Sequence, residues 1–77
     1  MLGMDSIQIK DDFIKLGQAL KLAGLVDSGV EAKEVITSGK VKWNGETELR
    51  RGKKLVDGDI VEYAGKSFRV VSGKIGV

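Results

Sequence analysis

Residues 28–45 read SGVEAKEVITSGKVKWNG, and the chain continues through RRGKK at 50–54 and DGDIVEY at 57–63. Ser28 offers the hydroxyl of a helix N-cap and Glu31 stands at the third helical position, which together make a capping box. Ala32, Val35, Ile36 and Gly39 follow at helical spacing, so they share a side turned to the core. Lys33, Thr37 and Lys40 form the neighbouring stripe. Gly39 ends the helix. Val41 and Trp43 then alternate with Lys40 and Lys42 up to Asn44-Gly45, the strongest short signal for a type I′ hairpin. Thr47 and Leu49 begin the return arm, and Arg51-Gly52-Lys53 breaks the alternation as an exposed loop does. A capped helix, a tight hairpin and a positively charged loop are thus joined in that order.

Working toward the N-terminus, Leu16, Ala19, Leu20 and Ala23 keep helical spacing, with Gly24 where a left-handed residue closes a helix. Before it, residues 7–10 (IQIK) alternate as a half-buried strand does, and Phe13-Ile14 extends or closes that strand. Toward the C-terminus, Asp57-Gly58-Asp59 is a turn, and residues 60–63, 65–66 and 68–71 complete a second hairpin. The expected class is α+β: two helices packed on a small antiparallel or mixed β-sheet with β-hairpins. A single domain over 1–77 is expected, with 1–6 and 72–77 as flexible ends.

A chain of 77 residues with 42% hydrophobic content supports a folded but modest core. It contains no cysteine and no histidine, which removes disulfides, thiolate chemistry, imidazole bases and the usual zinc sites. No cofactor or metal is expected. No apolar run approaches the roughly 20 residues of a membrane span, so a soluble, cytoplasmic protein is expected. The net charge of +2 is small but unevenly spread. Residues 33–54 hold seven cations against three acids, a net of +4 that leaves the remainder at −2. Such polarity suits a polyanionic partner.

With those residues in hand, the chain resembles the RNA-binding domain named after small-subunit ribosomal protein S-four, found also in tyrosyl-transfer-RNA synthetases and pseudouridine synthases. The family pattern S-R-x-x-A-R-x-x-I-x-x-G-x-V-x-V-N-G, followed later by Gly, Asp and Ile, is met in order by Ser28, Ala32, Lys33, Ile36, Gly39, Val41, Asn44, Gly45, Gly58, Asp59 and Ile60. The resemblance covers about residues 13–63. Residues 16–22 and 50–55 look like those of a compact bacterial subgroup consisting of this domain alone. Three departures stand out: Lys15-Leu16-Gly17 where the family often has Arg-Leu-Asp, Gly29 where an arginine follows the capping serine, and Trp43 for a common valine. The first two remove guanidinium forks and leave lysines as point charges.

The resemblance implies a noncatalytic module with an αL RNA-binding motif that recognises structured RNA, ribosomal or transfer, in ribosome assembly or translation. Arg50, Arg51, Lys53 and Lys54 are the first candidate site, because four cations in five residues can neutralise phosphates. On composition alone a solvated loop is an equal reading; the resemblance favours phosphate contact. Lys33, Lys40 and Lys42 would extend the patch, and Lys15, Gln18 and Lys21 are secondary candidates on the first helix. Ser28 reads first as a cap and second as an RNA contact. Trp43 reads first as core and second as a stacking surface. Asp57 and Asp59, flanking Gly58, belong to turn geometry rather than a catalytic pair. The rival function is a protein-interaction module in which a strand edge or the first helix docks and the basic loop steers association.

Overall fold

A computed structural model describes residues 5–73. In chain order the elements are β1 (Asp5–Ile9), β2 (Ile14–Lys15), α1 (Leu16–Leu22), α2 (Gly29–Thr37), β3 (Val41–Trp43), β4 (Glu46–Thr47), β5 (Lys54–Leu55), β6 (Ile60–Tyr63) and β7 (Lys66–Ser72). Five strands form one sheet in the order β1-β7-β6-β3-β4, and β2 pairs with β5 in a separate two-stranded ladder. All pairings are antiparallel except β1 with β7, which run parallel with Ile7 opposite Val70. The expected α+β class is therefore met by a mixed sheet. No helix among the described residues is long and apolar enough to cross a membrane.

Local chemistry accounts for the element ends. Ser28 Oγ accepts the Glu31 N–H at 3.1 Å, as a capping box requires, but the Glu31 carboxylate accepts from Asp27 N–H instead of Ser28 N–H. Both helices close with the same pair of backbone bonds. Leu25 N–H reaches Leu20 O and Gly24 N–H reaches Lys21 O, while Lys40 N–H reaches Val35 O and Gly39 N–H reaches Ile36 O. These are Schellman closures, and they turn on the positive φ of Gly24 and Gly39 (77° and 79°).

One face of the sheet and one face of each helix make the core. Ile7, Ile9, Val41, Val61, Phe68 and Val70 meet Leu16, Ala19, Leu20, Ala32, Val35 and Ile36, with Leu55 from β5 joining them. The alternation along β3 holds: Val41 is buried, Lys42 is exposed, and Trp43 is half-buried against the core. Trp43 thus packs as core rather than standing out as a free ring. Its indole N–H is buried without a partner among the described residues.

At the ends, Asp5 and Ser6 already belong to β1, and Ser72 completes β7. The Ser72 N–H donates to Asp57 Oδ1 and its hydroxyl to Asp11 O, and Gly73 N–H donates to Ile9 O. The sequence expectation of flexible ends covers these positions, where Asp5, Ser6 and Ser72 stand in the parallel β1–β7 ladder. The remaining end residues lie outside the described ones.

Candidate nucleic-acid interface

The two turn signatures recognised in the sequence are built into each other. Asn44 sits at φ 50° and Gly45 at φ 88°, as a type I′ turn demands. The Asn44 side chain then donates to Asp59 Oδ1 at 3.1 Å and accepts the Ile60 N–H at 2.8 Å. Asp59 uses its other oxygen on the Val56 N–H at 2.8 Å, and Asp57 takes the Ser72 N–H at 2.9 Å. These carboxylates are occupied by backbone N–H groups and the Asn44 amide, in agreement with turn geometry.

The loop at 50–54 docks on the start of α1. Glu48 N–H bonds to Val41 O, continuing the hairpin, and Lys53 N–H closes a turn on Arg50 O. Carbonyls of Lys53 and Arg51 then accept the N–H groups of Leu16 and Gly17 at 2.8 and 3.1 Å, so the loop itself satisfies the first turn of α1. Close docking depends on Gly17: a Cβ there would lie 2.8 Å from Arg51 Cγ. The stem of Arg51 consequently lies across the start of α1.

The four cations of this loop have four different neighbours. Arg50 donates both its backbone N–H and its Nε–H to Glu48 Oε2, each at 3.0 Å. Glu48 is only 7% exposed, and the guanidinium holds its carboxyl below the usual glutamate value, outweighing the upward push of burial. The Arg50 side chain stays 72% exposed, but its charge is matched by Glu48. Lys53 Nζ lies 3.9 Å from the centroid of the Trp43 ring, and Lys54 Nζ lies 4.8 Å from that of Phe13, both in cation–π range. Arg51 alone opens into a cleft.

That cleft, about 310 Å³ in volume, lies between α1, the start of α2 and the loop. It is lined by Lys15, Gln18, Lys21 and Arg51 around three glycines, Gly17, Gly29 and Gly52. No acid lines it, and none of its cations is in an ion pair among the described residues. Lys54 stands across the β2–β5 ladder from Lys15 and adds to the local positive charge. Lys33 follows Gly29 by one helical turn on the same stripe. Lys40 lies past the other end of α2, whose nine residues rise roughly 14 Å. Lys42 faces Glu62 across β3 and β6. Ser28 serves as the cap of α2.

Comparison with known proteins agrees with this architecture. The family model described as "S4 domain" matches residues 7–71. The chain belongs to the S4 domain family. Among curated relatives of this S4 domain is the "Probable ribosome maturation protein RlbA" of Bacillus subtilis (strain 168), 46% identical over 67 residues, with 86% of this chain and 94% of the relative covered. Another is the "Putative RNA-binding protein YbcJ" of Escherichia coli (strain K12), 41% identical over 63 residues, with 82% and 90% covered. The solution structure of the Escherichia coli YbcJ protein, described as revealing an ALFAL motif involved in RNA-binding, is similar at a TM-score of 0.70. The identity is 39%, covering 92% of this chain and 91% of that one.

Three residues of this S4 domain escaped sequence reading. Gly17 registered only as a missing acid, since nothing local announces that a distant loop lies on it. Glu48 is indistinguishable by type from exposed Glu46. Phe13, expected to extend or close the strand of residues 7–10, lies outside β1 and β2 and keeps an exposed ring under Lys54.

Proposed function

We propose that this protein is a noncatalytic, cytoplasmic RNA-binding module that holds the phosphate backbone of structured RNA in the Lys15–Lys21–Arg51 cleft. The RNA would be ribosomal or transfer RNA, and the role one in ribosome assembly or translation. The observation that carries this reading is the convergence of three cations from two separate segments on one concave surface that no carboxylate neutralises. The names of the relatives, one a ribosome maturation protein and one an RNA-binding protein, point the same way.

The chemistry favours shape over sequence. Lysines bind phosphate as point charges, and the Arg51 fork spans two oxygens. The Gln18 amide, which both donates and accepts, is suited to a ribose 2′-hydroxyl, the group that separates RNA from DNA. With few groups able to read base edges, recognition rests on the spacing of phosphates in a folded RNA. Lys53, Lys54 and Lys33 lie outside the cleft lining and add to its positive field, while Arg50 is matched by Glu48. Lys40 and Lys42 contribute to the field rather than to the grip.

Fluorescence anisotropy with a structured ribosomal RNA fragment and a DNA duplex of equal length, across a salt series, tests the proposal. Tighter binding to RNA with a log–log salt slope of about −3, as three phosphate contacts give, is expected. Equal and feeble binding to both nucleic acids would overturn it.

A further inference from the structure

A second concavity of about 580 Å³ runs between the free edge of β1 and α1, and it meets the cationic cleft at Gln18 and Lys21. Its character is different. Ile14, Phe13 and Leu22 line it, the last two 39% and 56% exposed. Single exposed apolar side chains are ordinary on a small protein. Here two of them converge on one groove, whose size falls in the usual range for ligand sites.

We infer that this groove receives an unpaired nucleobase of the bound RNA, stacked on Phe13, an inference that rests on the RNA-binding reading of the adjoining cleft. A nucleotide has an apolar π face tied to an anionic phosphate, and the two concavities supply both halves side by side. Lys54 makes the link at the aromatic end: its ammonium lies 4.8 Å from the Phe13 centroid while its strand position faces Lys15 of the cleft. A phosphate neighbouring the stacked base would find that ammonium in reach. Asp11 is the sole carboxylate lining the groove. Beside Lys10, it can accept hydrogen bonds from amino and imino groups of a base, while no acid lines the cationic cleft. Continuity with the cationic cleft favours a nucleotide over a protein segment as the occupant, since a base in the groove and its phosphate in the cleft would meet at the shared Gln18 and Lys21 rim.

The test uses two RNA hairpins with the same stem, one carrying a single unpaired purine. Wild-type protein should bind the bulged hairpin roughly 5- to 150-fold more tightly, the range that base stacking on an aromatic ring commands. Phe13→Leu should abolish that preference while leaving affinity for the paired stem unchanged, and Phe13→Tyr should retain it. Lys15→Glu/Arg51→Glu should weaken both hairpins alike. Wild-type binding to the paired stem with no preference for the bulge, or a preference that survives in Phe13→Leu, would overturn the base site and leave the groove open to a protein segment. Failure to bind either hairpin would overturn the RNA reading as well.

Discussion

The turn pair at Asn44 and Asp59 and the cleft at Lys15, Lys21 and Arg51 are both polar and both largely exposed, yet they spend their polar groups differently. In the turn pair, the Asn44 amide and both Asp59 oxygens are bonded within the protein. In the cleft, none of the three cations has an ion-pair partner among the described residues. Residues that form the recognisable signature therefore build the scaffold, and the cleft cations meet solvent with charge that no ion pair among the described residues matches. The 50–54 loop joins the two kinds of behaviour: Arg50 is matched by buried Glu48, and Arg51, one residue on, is not.

Mutations that separate these regions give the sharpest checks. Lys21→Glu/Arg51→Glu should weaken RNA binding on the order of 100-fold, as two charge-assisted contacts are lost. Its thermal midpoint should stay close to wild type. The same number of reversals on the open sheet face, Lys42→Glu/Arg69→Glu, should cost only a few-fold through the general field; equal losses would erase the distinction. Asn44→Ala should do the opposite of the cleft variant. It removes two side-chain hydrogen bonds and leaves alanine at positive φ, so a loss of about 2–3 kcal/mol is expected in denaturant unfolding. RNA affinity of the folded fraction should not change.

Smaller effects refine the contrast. Gly29→Arg should raise affinity about 3- to 10-fold by adding a fork at the cleft rim, since a Cβ at Gly29 meets nothing within 4 Å. Glu48→Gln should lower the thermal midpoint by roughly a few degrees. Because Arg50 holds the Glu48 carboxyl below its ordinary value of 4.5, folding favours its ionised form. The stability it contributes is present above that ordinary value and is lost as pH falls through the lower folded value. Melting curves of Glu48→Gln should accordingly show a flatter acid limb. Ala64 at φ 57° precedes Gly65 in the β6–β7 turn, and Ala64→Asn should stabilise the protein by about 0.5–1 kcal/mol without touching RNA binding.

Much of the scaffold was legible because its determinants are local. The Ser28 cap, the glycines after both helices and the Asn44-Gly45 turn each act over a few residues, and each element stands where its signal lies. The parallel β1–β7 pairing was not legible in detail, since it joins the two ends of the chain and brings Asp5, Ser6 and Ser72 into the sheet. Similarly, Arg50, Arg51, Lys53 and Lys54 read as one patch because they are consecutive. Side-chain direction in an irregular loop has no period, however, and Glu48, Gly17, Trp43 and Phe13 send the four cations to separate neighbours. Lys15, Gln18 and Lys21 were visible as candidates on α1. Their meeting with Arg51 depended on a glycine whose role only the packed structure reveals.

If the cleft, and not the run of basic residues as such, holds RNA, single neutralisations of the adjacent Arg50 and Arg51 should separate the two most directly. The salt dependence of affinity for a structured ribosomal RNA fragment should be measured for wild type, Arg50→Gln and Arg51→Gln. One phosphate contact contributes about 0.9 to the log–log slope. Arg51→Gln should reduce the slope by about that amount, while Arg50→Gln, at a side chain that bonds Glu48 and does not line the cleft, should leave it unchanged. Equal reductions in both variants, or a reduction in Arg50→Gln alone, would contradict the account.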